Sequence, residues 1–132
     1  MVLINILLVD DHVLFAKSLS IALEEYSEVG ELITTQSIEN LESIVSENDI
    51  DIVLMDINLG NLSDTDGLEA AAHLLKTKPD IKIMILTGYD LPVYRHEARK
   101  IGVCGFLNKN IGPDDLIASL LHVSHGKTCF PC

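Results

Sequence analysis

The sequence has few basic residues for its length. Its 132 residues include 9 lysines and arginines against 20 aspartates and glutamates, which gives a formal net charge of −11 at pH 7. The basic residues form no cluster, and nucleic-acid binding depends on such a cluster to neutralise phosphates. This composition argues against direct binding of nucleic acid and favours cations and basic proteins as partners.

Long apolar runs are also missing from the sequence. The longest apolar stretches fall far short of the roughly 20 residues that span a bilayer, and the N-terminus lacks the basic leader of a signal peptide. Three cysteines, Cys104, Cys129 and Cys132, leave one thiol unpaired in any disulfide scheme. We therefore expect a reduced, cytoplasmic protein that has no membrane contact.

Short β-branched runs alternate with longer helical patterns along a chain that has no repeat or Gly/Ser linker. Predicted strands are Leu3–Val9, Glu31–Thr35, Ile52–Met55, Ile81–Leu86 and Val103–Leu107. Predicted helices are His12–Tyr26, Ile38–Glu47, Gly67–Lys78, Pro92–Ile101 and Pro113–His125. Ser37 and Asp66 stand where helix N-caps are expected, and Pro113 stands at a first-turn position. The strict alternation predicts an α/β domain, a doubly wound five-stranded parallel sheet with right-handed crossovers and helices on both faces.

Polar residues follow four of the five predicted strands. They are Asp10 and Asp11 after the first strand, Asp56 after the third, Thr87 and Gly88 after the fourth, and Asn108 and Lys109 after the fifth. The carboxyl ends of parallel strands share one edge, where ligands bind in this architecture. We therefore expect three acids, one hydroxyl and one lysine to converge at that edge.

Carboxylates brought together at one edge need a compensating charge. Two of them about 4 Å apart repel by roughly 4 kcal/mol at an effective dielectric of 20, so that one must take a proton or a cation must lie among them. Oxygen ligands, with no His or Cys at ligand spacing beside them, favour a hard ion such as Mg²⁺ or Mn²⁺. A cation, a lysine and a hydroxyl around a carboxylate predict phosphoryl transfer, with Asp56 as the nucleophile.

Four segments of the sequence resemble the motifs of one protein family. They are "LLVDDH" with Asp10 and Asp11, "IVLMDINL" with Asp56, "MILTG" with Thr87, and "GFLNK" with Phe106 and Lys109. In this order and spacing they resemble the receiver domain of two-component response regulators, which implies a flavodoxin-like (βα)5 fold over residues 1–125. The segment "DDHVLFAKSL" is similar to the first helix of the NarL/FixJ subfamily, whose members usually continue into a LuxR-type DNA-binding domain. Residues 126–132 would then be a C-terminal tail or the start of a linker to an output domain that this chain does not include.

The resemblance implies a role for each matched residue. Asp56 would be the phosphoacceptor, charged by a sensor histidine kinase. Asp11, Asp56 and the backbone carbonyl of Asn58 would bind the divalent ion directly, and Asp10 would bind it through water. Lys109 would pair with the phosphoryl group.

The resemblance also implies a two-state switch. Thr87 would move toward the phosphate and allow Phe106 to turn inward, and the change would be read on the face formed by the fourth helix, the fifth strand and the fifth helix. Such a domain is not an enzyme with a turnover substrate, because it catalyses only its own phosphorylation and dephosphorylation. A homodimer is plausible for the family, and DNA would be contacted only through the output domain.

Three features depart from the family pattern. The loop "NLGNLSDTDG" after Asp56 is longer than usual and lacks the common proline, which leaves the roles of Asp64 and Asp66 open. Asn110 follows Lys109 where many relatives have a proline. A non-proline cis bond costs about 3–4 kcal/mol, so we expect a trans bond there. Phe106 replaces the commoner tyrosine.

Several other interpretations stay open from the residues alone. Asp10 and Asp11 could cap a helix, and Thr87 could be an ordinary β-branched strand residue. The pattern formed by His122, His125, Cys129 and Cys132 could bind zinc.

Other functions are possible for this architecture. An aspartyl-phosphate phosphatase would need a second acid two residues after its nucleophile, and that acid is absent at both candidate sites. A flavin-phosphate loop would be repelled by the two acids that follow the first strand, and the cobalamin pattern fails because Phe15 stands in place of a glycine. A receiver acting alone, or an interaction module that works without phosphorylation, is the remaining alternative.

Overall fold

A computed structural model describes residues 3–56, 64–88 and 92–126, without the side chains of 64–66. Its elements are β1 (Ile4–Val9), α1 (Val13–Glu24), β2 (Val29–Thr35), α2 (Leu41–Glu47), β3 (Ile52–Met55), α3 (Asp64–Thr77), β4 (Lys82–Thr87), α4 (Pro92–Ile101), β5 (Gly105–Asn108) and α5 (Pro113–Ser124). The five strands form one parallel sheet in the order β2-β1-β3-β4-β5. The predicted fold class is confirmed.

The three central strands are apolar because both faces of the sheet are covered. All four residues of β3 are buried, and alternate residues of β1, β3 and β4 point to opposite faces. One face packs against α2, α3 and α4, and the other packs against α1 and α5. Each fully buried Leu or Ile stabilises the fold by about 1.5–3 kcal/mol relative to exposure, so the two apolar layers hold the strand ends in fixed positions.

The start of α2 differs from the prediction. The N-cap is Asn40, in the left-handed conformation at φ 62°, and the helix begins at Leu41. Ser37 does not cap the helix, because its hydroxyl accepts the backbone N–H of Glu39 at 3.0 Å and forms a local turn. Serine stabilises turns as readily as caps, and here the turn is formed.

Several other boundaries shift by a few residues, whereas β3 and α4 have the predicted bounds. β5 begins at Gly105, two residues later than predicted, and α3 begins at Asp64. Asp66 therefore lies within the first turn of α3 and is not its N-cap. Pro113 is the first residue of α5, as predicted. The described peptide bonds, including Lys109–Asn110, are trans.

Asn5 inserts its side chain between β1 and β2 at the amino edge of the sheet. Its Oδ1 accepts the backbone N–H of Glu31 at 3.0 Å, and its Nδ2 donates to the carbonyl oxygen of Asp49 at 3.1 Å. A Cβ at Gly30 would lie 2.4 Å from Asn5 Oδ1, so the close approach needs glycine. This insertion coincides with a register shift in the pairing of β1 with β2 and explains why β2 extends back through a glycine to Val29.

In the part of the chain that the structure describes, no helix has the length and apolar character needed to cross a bilayer.

Candidate functional site

Backbone hydrogen bonds of the sheet continue past the strand ends and fix the residues that follow them. The N–H of Asp10 donates to the carbonyl of Thr35 at 3.0 Å, and the N–H of Asp56 donates to the carbonyl of Val9 at 2.9 Å. The N–H of Lys109 donates to the carbonyl of the last residue of β4 at 2.8 Å. Side chains from three strand ends are thereby brought to one edge of the sheet, as the sequence predicts.

Two of the acids at this edge are almost fully buried. Asp10 and Asp56 are each 1% exposed. The Nζ atom of Lys109 lies 2.9 Å from Asp10 Oδ2 and 3.0 Å from Asp56 Oδ2. Because a buried carboxylate without a partner is strongly destabilising, this one lysine compensates two acids, and Asp11 beside them adds a further negative charge.

The Phe15 ring also contacts the ammonium of Lys109. The Nζ atom of Lys109 lies 4.6 Å from the centre of the Phe15 ring, within the range of a cation–π contact. This contact keeps the ammonium over the acids, and nothing in the sequence pattern had drawn attention to Phe15 for this purpose. The only signal is its position in the first turns of α1, close to the acids in the chain.

Neither Asp10 nor Asp11 is the N-cap of α1. That position is taken by His12, which has no side-chain capping hydrogen bond. Asp10 Oδ1 instead accepts the backbone N–H of His12 at 2.9 Å, forming a tight turn that curls the chain back over the sheet edge.

His12 is the residue that the sequence analysis missed. Its Nδ1 lies 3.0 Å from Asp10 Oδ1, 3.5 Å from Asp56 Oδ2 and 3.7 Å from Asp11 Oδ1. One potential ligand atom from each of these four residues lies within 4.8 Å of the others. A histidine nitrogen therefore lies beside the predicted oxygen ligands, and the set of atoms that bind the ion stays a prediction. The signal was present, because a histidine directly follows the two acids, but its spacing is that of a turn and not of a helix or a ligand motif.

The carboxylate oxygens leave capacity for a cation. Asp10 Oδ2 and Asp11 Oδ1 are buried and have no hydrogen-bond partner among the described residues. Asp10 Oδ2 does lie 2.9 Å from the ammonium of Lys109, but that contact lacks the alignment of a hydrogen bond. Buried oxygens with free lone pairs are what a hard divalent ion binds, so the residues present fit Mg²⁺ or Mn²⁺.

Thr87 and Phe106 occupy the positions expected of a switch pair. Thr87 is the last residue of β4 and is fully buried. Phe106 lies in β5 directly opposite Ile85 and is 1% exposed, in the apolar layer with α4. The inward position of the ring is thus present in this structure.

Gly88 follows β4, and there is free space where a side chain at this position would begin. A Cβ there would meet no atom of the described residues within 4 Å.

Other predicted residues are not brought to this site by the described structure. Asn58 lies outside the described residues, as do the side chains of Asp64 and Asp66. His122 and His125 are exposed near the end of α5. The cysteines of the possible zinc pattern, Cys129 and Cys132, also lie outside the described residues, so that pattern stays untested.

Comparisons with known proteins identify the family to which this fold belongs. The family model for the response regulator receiver domain matches residues 6–121. The transcriptional regulatory protein DegU of Brevibacillus brevis is 31% identical over 123 residues, 93% of this chain and 51% of that protein. ComA of Bacillus subtilis is 30% identical over 126 residues, 93% of this chain and 57% of that protein. The chain spans about half the length of the curated relatives it matches.

Solved structures share the fold. A LuxR-family two-component response regulator from Aurantimonas sp. superposes with a TM-score of 0.85 at 22% identity, covering 96% of this chain and 89% of that one. A response regulator from Burkholderia pseudomallei superposes with a TM-score of 0.77 at 26% identity, covering 93% of this chain and 69% of that one. The latter structure contains a phosphorylated aspartic acid, a calcium ion and citrate.

Proposed function

The chain belongs to the response regulator receiver domain family, and on that premise we propose that Asp56 accepts a phosphoryl group from a sensor histidine kinase. The observation that carries this proposal is the surroundings of the Asp56 carboxylate. It is buried at the carboxyl edge of the sheet, 3.0 Å from the Lys109 ammonium, in a cluster with two further acids. A fixed cation beside a carboxylate nucleophile is the arrangement that phosphoryl transfer uses.

The transfer step needs few groups from the protein. A carboxylate oxygen of Asp56 attacks the phosphorus of the kinase's phosphohistidine. The new P–O bond forms as the P–N bond breaks, and the electron pair stays on the imidazole nitrogen, which takes a proton from solvent. Lys109 then turns from the carboxylates to an oxygen of the transferred phosphoryl group and offsets its charge.

A divalent ion would complete the site. Asp11, Asp56 and the Asn58 carbonyl would hold Mg²⁺ or Mn²⁺ directly, and Asp10 would hold it through water. When bound, the ion supplies positive charge that stabilises the phosphoryl oxygens during transfer. Its affinity would also rise after transfer, because the phosphoryl group adds further oxygen ligands.

Phosphorylation would act as a switch through Thr87. Its hydroxyl lies in the buried layer at the end of β4, and a hydrogen bond to a phosphoryl oxygen would draw it toward Asp56. The ring of Phe106 is already buried in this structure, so the movement of Thr87 would stabilise that inward position. The change would be read on the surface of α4, β5 and α5, by a partner protein or by a second copy of the chain.

The output of the switch would be transcription. The relatives DegU and ComA are named transcriptional regulatory proteins, and the chain spans about half of each. The net charge of −11 makes direct DNA contact by this domain unfavourable. We therefore assign DNA binding to a LuxR-type domain outside this chain, in a cytoplasmic regulator that has no substrate turnover beyond its own phosphorylation and dephosphorylation.

The proposal is tested by direct phosphorylation. The purified chain is incubated with a small acyl or amido phosphate, with Mg²⁺ or with a chelator, and the intact protein is weighed by mass spectrometry. We expect an adduct of one phosphoryl group that needs the ion. It should be absent in Asp56→Asn and retained in Asp80→Asn, which removes an exposed acid from another part of the surface.

Failure to form the adduct in the wild-type chain would contradict the proposal. The domain would then act without phosphorylation, as an interaction surface. An adduct that persists in Asp56→Asn would place the phosphoacceptor on another residue.

A further inference from the structure

Lys109 reaches the phosphoacceptor through a long, flexible side chain. Its backbone is fixed, because its N–H donates to the carbonyl of Thr87 at 2.8 Å and the N–H of Ile111 closes a turn to the carbonyl of Asn108 at 3.0 Å. A four-carbon stem separates this backbone from the ammonium, and such a side chain loses much conformational entropy when it is held in one position. The place of the ammonium therefore depends on the groups around it.

Polar and aromatic contacts surround the ammonium. The polar contacts of Nζ are with Asp10 Oδ2 at 2.9 Å, Asp56 Oδ2 at 3.0 Å and Nδ1 of His12 at 2.9 Å. The aromatic contact is with Phe15, whose ring centre lies 4.6 Å from Nζ. A hydrogen bond weakens steeply when its alignment is lost, whereas an aromatic face attracts an ammonium anywhere within about 6 Å of the ring centre. The ring is thus the contact that best tolerates a movement of the ammonium.

Phosphorylation requires such a movement of Lys109. The ammonium must exchange a carboxylate oxygen of Asp56 for an oxygen of the phosphoryl group, so its polar contacts change during the reaction. It can move away from the Phe15 ring by about 1.4 Å and still lie within the range of the ring's attraction. Phe15 can therefore hold the lysine both before and after the transfer.

The ring has a fixed place relative to the acids. Phe15 lies in the first turn of α1 and packs against the apolar layer between the sheet, α1 and α5. This turn is tied to Asp10, because the N–H of His12 donates to Asp10 Oδ1 at 2.9 Å and the N–H of Ala16 donates to the carbonyl of His12 at 2.9 Å. The segment that supplies the buried acid thus also supplies the ring.

The ring also limits the space into which the lysine can turn. Phe15 and Lys109 line one opening at the surface, together with His12, Val13 and Leu14. The Lys109 side chain is nevertheless only 14% exposed. With a smaller side chain at position 15, the ammonium would have room to turn into this opening and away from the acids.

We propose that Phe15 is a positioning residue for phosphoryl transfer, whose ring keeps the ammonium of Lys109 within reach of Asp56 before the transfer and of the phosphoryl group after it. The inference rests on the proposed function, since it concerns how the same site is held together. Phe15 acts through the lysine and not on the reacting atoms.

The test varies the ring while keeping its size. Phenylalanines that carry one, two or three fluorine atoms are placed at position 15, because fluorine draws electron density from the ring face and weakens its attraction for a cation. The rate of phosphorylation by a small amido phosphate at saturating Mg²⁺ is measured from the mass of the intact protein. Phe15→Tyr keeps an aromatic face, and Phe15→Leu keeps only apolar bulk. Leu19→Ala, one turn further along α1 and against the same apolar layer, is the matched control for lost packing.

We expect the rate to fall stepwise with each added fluorine. In Phe15→Leu it should fall by about threefold to tenfold, the size of effect that the loss of such a contact would produce. Phe15→Tyr should keep the wild-type rate, and Leu19→Ala should lower the stability without lowering the rate.

Nuclear magnetic resonance reports the contact itself. The ammonium of Lys109 lies over the Phe15 ring, so the protons of the adjoining carbon should resonate upfield of ordinary lysine signals. The shift should be present in the wild type and in Phe15→Tyr, and absent in Phe15→Leu. It should persist when beryllofluoride, which imitates an aspartyl phosphate, is bound together with Mg²⁺.

A wild-type rate in Phe15→Leu, or an unshifted lysine signal in the wild type, would overturn the inference and leave the proposed function intact. A fluorinated series that keeps the wild-type rate would overturn the attraction between ring and ammonium, because the ring would then act only through its bulk. Loss of the shift in the beryllofluoride complex would overturn the role after the transfer. If the wild-type chain forms no phosphoryl adduct, the proposed function fails, and the positioning role fails with it even where the lysine signal is shifted.

Discussion

Replacing Lys109 by methionine isolates the charge that holds the site together. Methionine keeps most of the apolar stem but removes the ammonium, which lies 2.9 Å from Asp10 Oδ2, 3.0 Å from Asp56 Oδ2 and 4.6 Å from the centre of the Phe15 ring. Both carboxylates are 1% exposed, so neither can be solvated in place of the lost partner. We therefore expect Lys109→Met to lower the free energy of unfolding when a chelator is present.

The expected decrease in the free energy of unfolding follows from the burial of the two carboxylates. Removal of one partner from a buried ion pair costs about 3–5 kcal/mol. Water reaches the Lys109 side chain, which is 14% exposed, so part of its attraction is already screened. The lower end of the range, about 3 kcal/mol, is the expected loss.

Divalent ions should reverse much of that loss. An ion present at one hundred times its dissociation constant stabilises the folded state by about 2.7 kcal/mol. The variant should gain more from Mg²⁺ than the wild type at equal concentration, because the ion no longer competes with an ammonium among the same oxygens.

Urea unfolding followed by far-ultraviolet circular dichroism measures both effects, since the chain has no tryptophan for fluorescence. Lys17→Met, on the exposed surface of α1, is the matched control and should leave the stability unchanged. If Lys109→Met were as stable as the wild type in chelator, with an unchanged dependence on urea, the two buried carboxylates would not be charged and paired as described. An equal gain from Mg²⁺ in both proteins would refute the competition between the lysine and the ion.

Two further predictions concern regions away from the site. Gly30→Ala should destabilise the fold by about 1–3 kcal/mol through overpacking, because the new Cβ would meet Asn5 Oδ1 at 2.4 Å. The double variant with Asn5→Ala should lose less than the sum of the single variants in urea unfolding, and strict additivity would refute the contact. A hydrogen bond to Asp114 raises the pKa of Tyr26 to about 12. The neutral phenol is the bound form, so its stabilisation is complete below pH 10 and is lost as the pH rises through 12. Ultraviolet titration should therefore find one tyrosine near pH 12 that returns toward 10 in Asp114→Asn, and an unchanged titration would refute the bond.

The sequence predicts best an element that is buried on both sides and an element whose two ends carry local signals. β3 was predicted as Ile52–Met55, and α4 as Pro92–Ile101, with the bounds that the structure has. Every residue of β3 is apolar, so the strand is predicted without deciding which face of the sheet each side chain points to. In α4 a proline fixes the first turn and a glycine follows the last one. Local chemistry and tertiary packing agree in both cases.

The predicted strand bounds are wrong where a polar side chain, and not a backbone carbonyl, accepts a hydrogen bond from the strand. Asn5 within β1 and Gly30 at the start of β2 each weaken a strand pattern when read alone. Together they form a hydrogen-bonded insertion that lengthens β2, because Asn5 Oδ1 accepts an N–H that would otherwise need a backbone acceptor. This pairing spans residues far apart in the chain and has no local signature.

The same reason explains why His12 escaped prediction while Asp10, Asp11 and Asp56 did not. The acids are placed by the strand ends, which periodicity locates without reference to side-chain contacts. The His12 backbone is held by a hydrogen bond from its own N–H to Asp10 Oδ1, an acid that is buried at the sheet edge and accepts from a residue two positions along the chain. Strand position therefore determines which acids meet, whereas the turn that one of those acids forms determines which further side chain lies beside them. At a site formed by strand ends, the residues hydrogen-bonded to a buried acid are accordingly the place to search for neighbouring side chains that spacing rules leave out.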